Sequence, residues 1–156
     1  MRLLHRMFST SLLFLASIAL GDAPCAQELK PLVEIIGTDI EKSYPFVRCG
    51  AFYQASLEWA GENRVGSEMR SKIKKSIDSL LTVAALLRAK ATSESPEWIM
   101  QIVYRDTRNI ADLYIKRFEA NYASEGLAWG NDALWRSDSE TCKILSEKAH
   151  ASLPAE

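Results

Sequence analysis

Residues 69–87, MRSKIKKSIDSLLTVAALL, decide the fold class. Met69, Ile73, Ile77, Leu80, Leu81, Ala84 and Leu87 recur at three- and four-residue intervals, which places them on one face of an α-helix and leaves the charges on the other. Lys74 and Asp78 form an i,i+4 pair outside the stripe. No segment of the chain alternates at the two-residue period of a half-buried strand, so the helical period is the one to follow outward.

Towards the N-terminus, GENRVGS (61–67) reads as a turn. Before it, Pro45 to Asn63 reads as a second helix in chain order, with Phe46, Cys49, Tyr53, Ser56, Leu57 and Ala60 on one face and Phe52 and Trp59 as a second stripe beside Arg48 and Ala55. Leu29, Leu32, Val33, Ile36 and Ile40 predict a first helix ending before Pro45, with Gly37 its weak point. Towards the C-terminus, Ser95 is placed as the N-cap of a fourth helix that opens on Pro96 and runs to about Ser124. Its inward residues include Ile99, Ile102, Val103, Ile110, Leu113, Tyr114 and Phe118, a wide arc that predicts a central position. A turn-rich connection follows (GLAWGNDALWR, 126–136), and Ser137-x-x-Glu140 then matches a capping box for a short last helix carrying Cys142, Leu145 and Ala149. The expected architecture is all-α, a bundle of four long helices plus a short C-terminal helix.

The first 26 residues read differently. Arg2, His5 and Arg6 precede the uncharged run SLLFLASIAL (11–20) and then GDAPCA, the layout of a secretory signal. The apolar run falls short of the roughly 20 residues a membrane span needs. Cleavage after residue 26 removes Arg2, Arg6 and Asp22 from 19 basic and 20 acidic side chains, so a single helical domain over 27–156 carries a formal charge of −2. That balance argues against nucleic acid. The expected location is the periplasm or the exterior, with no membrane span after cleavage.

Export decides how the cysteines are read. Cys25 leaves with the leader, and Cys49 and Cys142 remain as an even pair in an oxidising place, so a disulfide stapling the second helix to the last is expected. A nucleophilic Cys49 is disfavoured: no CxxC is present, and His150 is the one histidine beyond the leader.

Catalytic constellations are sparse. A Ser-His pair could draw only on His150, near the chain end. HExxH, Cys/His clusters, Glu-x-x-His and CxxCH are all absent from the sequence, so no metal and no cofactor is expected; haem between a methionine and His150 is the lesser reading, since Met69 and Met100 read as core filling. Asp106 falls within the apolar arc of the fourth helix and is a candidate buried polar group, either a structural ion pair or the lining of a ligand pocket. Arg64, Arg70, Lys72, Lys74 and Lys75 crowd the start of the third helix, as a solvated face or an electrostatic footprint for an acidic protein, anionic lipid headgroups or cell-wall polymer. Phe52, Trp59, Arg70 and Lys74 are the candidate partner-binding residues, with Phe52 and Trp59 either covered by the first helix or exposed as a patch.

The expectation is a non-enzymatic envelope protein that binds another macromolecule, as inhibitor, immunity factor, chaperone or assembly accessory. The alternatives are a small-molecule or cofactor carrier using the bundle interior around Asp106 and, weaker, a hydrolase whose site the sequence conceals.

Overall fold

The computed structural model describes residues 29–61 and 64–154, and the expected leader lies outside them. Five helices follow in order, α1 (Leu32–Ile35), α2 (Tyr44–Ala60), α3 (Ser67–Ala89), α4 (Pro96–Glu125) and α5 (Ala133–Ser152), with no strand among the described residues. They form a helical bundle. No helix among the described residues is long and apolar enough to cross a membrane.

The short element sits at the opposite end from the one expected. Gly37 adopts a φ of +94°, a left-handed conformation that ends the expected first helix and leaves a single turn, α1. The last helix is long because Asp132, rather than Ser137, is its N-cap: the carboxylate accepts from the amides of Leu134 at 2.9 Å and Trp135 at 3.2 Å. Ser137 lies inside α5, and its carbonyl accepts from the Thr141 hydroxyl. At the start of α4 the expected cap is present, Ser95 Oγ accepting from the Trp98 amide at 3.2 Å.

The central helix is α2, not α4. It packs on α3, α4 and α5, while α1 rests on α5. Small residues explain the position: Gly50, Ala51 and Ala55 are buried and let neighbouring helices approach. A Cβ at Gly50 would lie 2.6 Å from Leu81 Cδ2 of α3. On α4 the buried residues are Ile99, Val103, Thr107, Ala111, Tyr114 and Phe118, one narrow stripe, with Ile102, Ile110 and Leu113 partly exposed.

Cys49 and Cys142 form the expected disulfide, with Cα atoms 5.1 Å apart and both side chains fully buried. That separation falls within the roughly 4.4 to 6.8 Å that bridging requires. Beside the bridge, Arg48 and Asp138 lie side by side in the core, 1% and 0% exposed. Arg48 Nη2 donates to Asp138 Oδ2 at 2.7 Å and Arg48 Nε to the Tyr114 hydroxyl at 3.0 Å, and that hydroxyl donates to the same Asp138 oxygen. Arg48 Nη2 also donates to the Lys30 carbonyl, and Asp138 Oδ1 accepts from the Leu32 amide at 2.7 Å. The buried charges therefore clamp the backbone that leads into α1 to α2, α4 and α5. Burial works to strip the proton from Arg48, but Tyr114 and Asp138 outweigh it and hold the guanidinium charged, while burial pushes the Tyr114 hydroxyl far above its ordinary range and keeps it protonated.

Candidate functional site

A cleft of about 990 Å3 opens between α3 and the end of α5. Four of the side chains that line it from α3, Ser71, Lys74, Lys75 and Asp78, come from two successive turns, and Ser79 and Thr82 continue the same face. Helical spacing makes this inevitable, since residues three and four apart share a face. The opposite wall is His150 with Ala151, Leu153 and Pro154.

Among the described residues, one side-chain hydrogen bond engages the His150 ring. Its Nδ1 lies 2.8 Å from Ser79 Oγ, which is itself buried on α3. The other ring nitrogen has no hydrogen-bond partner among the described residues. Lys75 likewise has no ion pair among them, and both lysines are exposed.

A serine beside a histidine invites comparison with acyl-transfer sites, and the geometry departs from them in two respects. Ser79 sits in the interior of α3, where the amides following it are already spent on the helix, so no backbone donors remain to receive an oxyanion next to it. No carboxylate among the described residues orients the second nitrogen of the ring, the role the third member of a triad fills. What the cleft presents chemically is a pair of ammonium groups beside the Asp78 carboxylate, hydroxyls along α3 and an imidazole in contact with Ser79. Among the described residues, no group of three or more His, Cys, Asp and Glu is placed to hold a metal ion.

The residues singled out in the sequence scatter. Lys74 lies in the cleft, whereas Arg70, one turn earlier, does not line it and reaches the Val65 carbonyl at 3.4 Å. Phe52 is 2% exposed and belongs to the core, edge-on to Tyr114 with ring centroids 5.5 Å apart and tilted on Trp135 at 5.9 Å. Trp59 is half-buried against Phe118 and the exposed Tyr122. An exposed Phe52–Trp59 patch therefore does not form, because α4 and α5 cover that stripe of α2.

Asp106 is partly rather than fully buried, its side chain 26% exposed. It accepts from Arg88 of α3 at 2.9 Å and from the adjacent Arg105 at 2.9 Å. Arg88 also reaches Glu41 at 2.8 Å and Ser43 at 3.0 Å, so Asp106 is one member of a network that ties the α1–α2 connection to α3 and α4. It lines neither the α3–α5 cleft nor the smaller one at the start of α3.

Sequence reasoning passed over two groups of side chains. The Arg48–Tyr114–Asp138 network had one signal, an arginine between Val47 and Cys49 in an otherwise apolar run. Ser79 had none, since a serine on a helix face is ordinary until the fold sets a histidine against it. Comparison of the chain with protein-family models, with curated proteins and with solved structures finds no match.

Proposed function

We propose that this is an exported helical protein that works by binding another macromolecule of the cell envelope, with the α3–α5 cleft as its contact surface. The observation that carries the proposal is the composition of that cleft: Lys74, Lys75, Ser79 and His150 gathered on one open trough with Leu153 and Pro154. The charged start and apolar run of residues 1–26 support export, and the buried Cys49–Cys142 bridge suits an oxidising compartment. A bundle clamped by buried charge and a disulfide is a rigid mount for a surface, and rigidity lowers the entropic cost of association.

The experiment is capture from envelope extract by the wild-type chain and by a Lys74→Glu/Lys75→Glu variant. A protein retained by the first and lost by the second is the expected result. Retention that is indifferent to the charge reversal, or no retained macromolecule at all, would sink the proposal.

A hydrolase reading draws on the 2.8 Å contact between Ser79 and His150. It predicts covalent labelling by a fluorophosphonate that disappears in Ser79→Ala, and the missing oxyanion donors count against it. The carrier reading around Asp106 has less to draw on, because that carboxylate is engaged by Arg88 and Arg105.

A further inference from the structure

Residues 29–35 lie on the bundle as a ligand would. Helix α1 is four residues long, too short to hold its shape alone in water, so it is held by what it touches. Leu32 is fully buried in the core, and Leu29 and Ile35 pack against the same cluster. The Leu32 amide donates to Asp138 of α5, and the Lys30 carbonyl accepts from Arg48 of α2. The bundle closes without this arm: α2 packs on α3, α4 and α5, α3 packs on α4 and α5, and the disulfide joins α2 to α5. Arm and seat are therefore two complementary pieces, joined in the chain by the stretch that links α1 to α2.

That stretch has the properties of a hinge. Residues 36–39, 41 and 42 are exposed, whereas Ser43 is buried and is held, with Glu41, by Arg88 of α3. Gly37 turns the arm back with a φ of +94°, and a Cβ there would meet nothing within 4 Å. The turn thus depends on the freedom of glycine in the left-handed region and not on packing around it. Opened into extended chain, residues 36–41 span up to about 20 Å, enough to carry the arm to a neighbouring molecule. Val33 and Ile36 are exposed, so arm and hinge also carry apolar surface that the closed form leaves in water.

We infer that the arm exchanges between two copies of this chain: residues 29–35 of each copy leave their own seat and fill the other's, with Leu32 and the bonds to Arg48 and Asp138 remade across the pair. A second copy is the occupant that fits, because the seat is already matched to this sequence. It takes a carbonyl at Arg48, an amide two residues on at Asp138 and a leucine in the core, and Pro31 between them has no amide to leave unpaired. Exchange keeps every contact between arm and bundle, so what it costs is association, offset where the two hinges cross and Ile36 of each chain gains cover. Reciprocal exchange fills both seats and closes with two-fold symmetry, so assembly stops at the dimer. Leu32, Arg48 and Asp138 lie outside the α3–α5 cleft, which makes the exchange independent of what that cleft binds.

The test is sedimentation velocity of the full exported chain at rising concentration, beside its Gly37→Ala and Gly37→Ala/Leu32→Ala variants. Dimer that grows with concentration is expected, and more of it in Gly37→Ala. That substitution strains the turned-back arm and spares the open hinge, so the association constant should rise about twentyfold or more, the scale of about 1 kcal/mol at each of two hinges. Adding Leu32→Ala should return the variant to monomer, because the arm no longer fills its seat, whereas a dimer formed through any other face would survive. In a mixture of isotope-labelled and unlabelled chains, filtered NOEs should connect α1 of one chain to α5 of the other. A Gly37→Ala chain that stays monomeric, a dimer indifferent to Leu32→Ala, or α1–α5 contacts confined within single chains overturns the inference. So does a free peptide of residues 29–36 that binds the Leu32→Ala chain while Gly37→Ala stays monomeric, since the seat would then take a foreign segment and not a second copy.

Discussion

Arg48 shows how much a single buried charge can organise. An ion pair withdrawn from water gains little net stability, because desolvation opposes the attraction. Here the pair has further duties: Asp138 accepts from Tyr114 and from the Leu32 amide, and Arg48 donates to the Lys30 carbonyl. Asp138→Leu leaves Arg48 charged and unpaired in the core, and a loss of about 3 to 5 kcal/mol in urea-induced unfolding is expected. Adding Arg48→Met should recover part of that loss but not all of it, since the Leu32 amide and Lys30 carbonyl then lack partners. Rapid hydrogen exchange at the Leu32 amide in the double variant, with core helices still protected, is the signature. Full recovery of stability with a protected Leu32 amide would show that the network is merely an ion pair. At this scale the sequence marked Arg48 only as a neighbour of the apolar stripe, since Tyr114 of α4 and Asp138 of α5, which meet it, are 66 and 90 residues away in the chain.

Among the elements, the start of α5 depends on Asp132 more than on any repeat of apolar residues. Its carboxylate caps the helix and is met by Arg117 at 2.6 and 2.9 Å and by Asn121 at 2.8 Å. Burial raises its pKa, but the contacts from Arg117, the Trp135 amide and Asn121 outweigh burial and hold it below the ordinary carboxylate value. A depressed folded pKa means that the contribution is present above the ordinary carboxylate pKa of about 4 and is lost as pH falls through that value towards the folded one. Asp132→Ala is therefore expected to cost about 1 to 2 kcal/mol at neutral pH from the cap alone. The gap between wild type and variant should close as pH falls below about 4, as denaturant titrations at several pH values will show. A gap that widens on acidification would contradict the assignment. The capping box at Ser137 misled because its spacing is local, whereas Asp132 is made the cap by contacts from α4 that local spacing does not record.

Across the whole molecule, the disulfide joins positions 93 apart in sequence, and both sulfurs lie in the core. On the chain-entropy account, closing so long a loop stabilises the fold by about 4 to 5 kcal/mol. The Cys49→Ser/Cys142→Ser variant should lose stability on that scale in denaturant titration, yet under native conditions retain whatever envelope macromolecule the wild-type chain captures through the α3–α5 cleft. A variant as stable as wild type would remove the bridge from what holds the bundle, and a folded variant that no longer captures that macromolecule would give the bridge a part in the site.

The sequence by itself determined the helical class, the place of α3 in the chain, the Ser95 cap of α4 and the pairing of the cysteines, because each follows from spacing, local backbone preference or the arithmetic of an even pair. It also brought Lys74 forward, as one cation in a crowded turn. Only the tertiary structure decided that Phe52 is core, that Asp106 is a partly exposed link in a network, and that Ser79 meets His150 71 residues away to form a cleft. The physical reason is that burial and charge pairing depend on which helix faces which, and here small residues on α2 settled that question by letting α3, α4 and α5 close around it. Apolar periodicity marks a face to be covered but carries no information on what covers it.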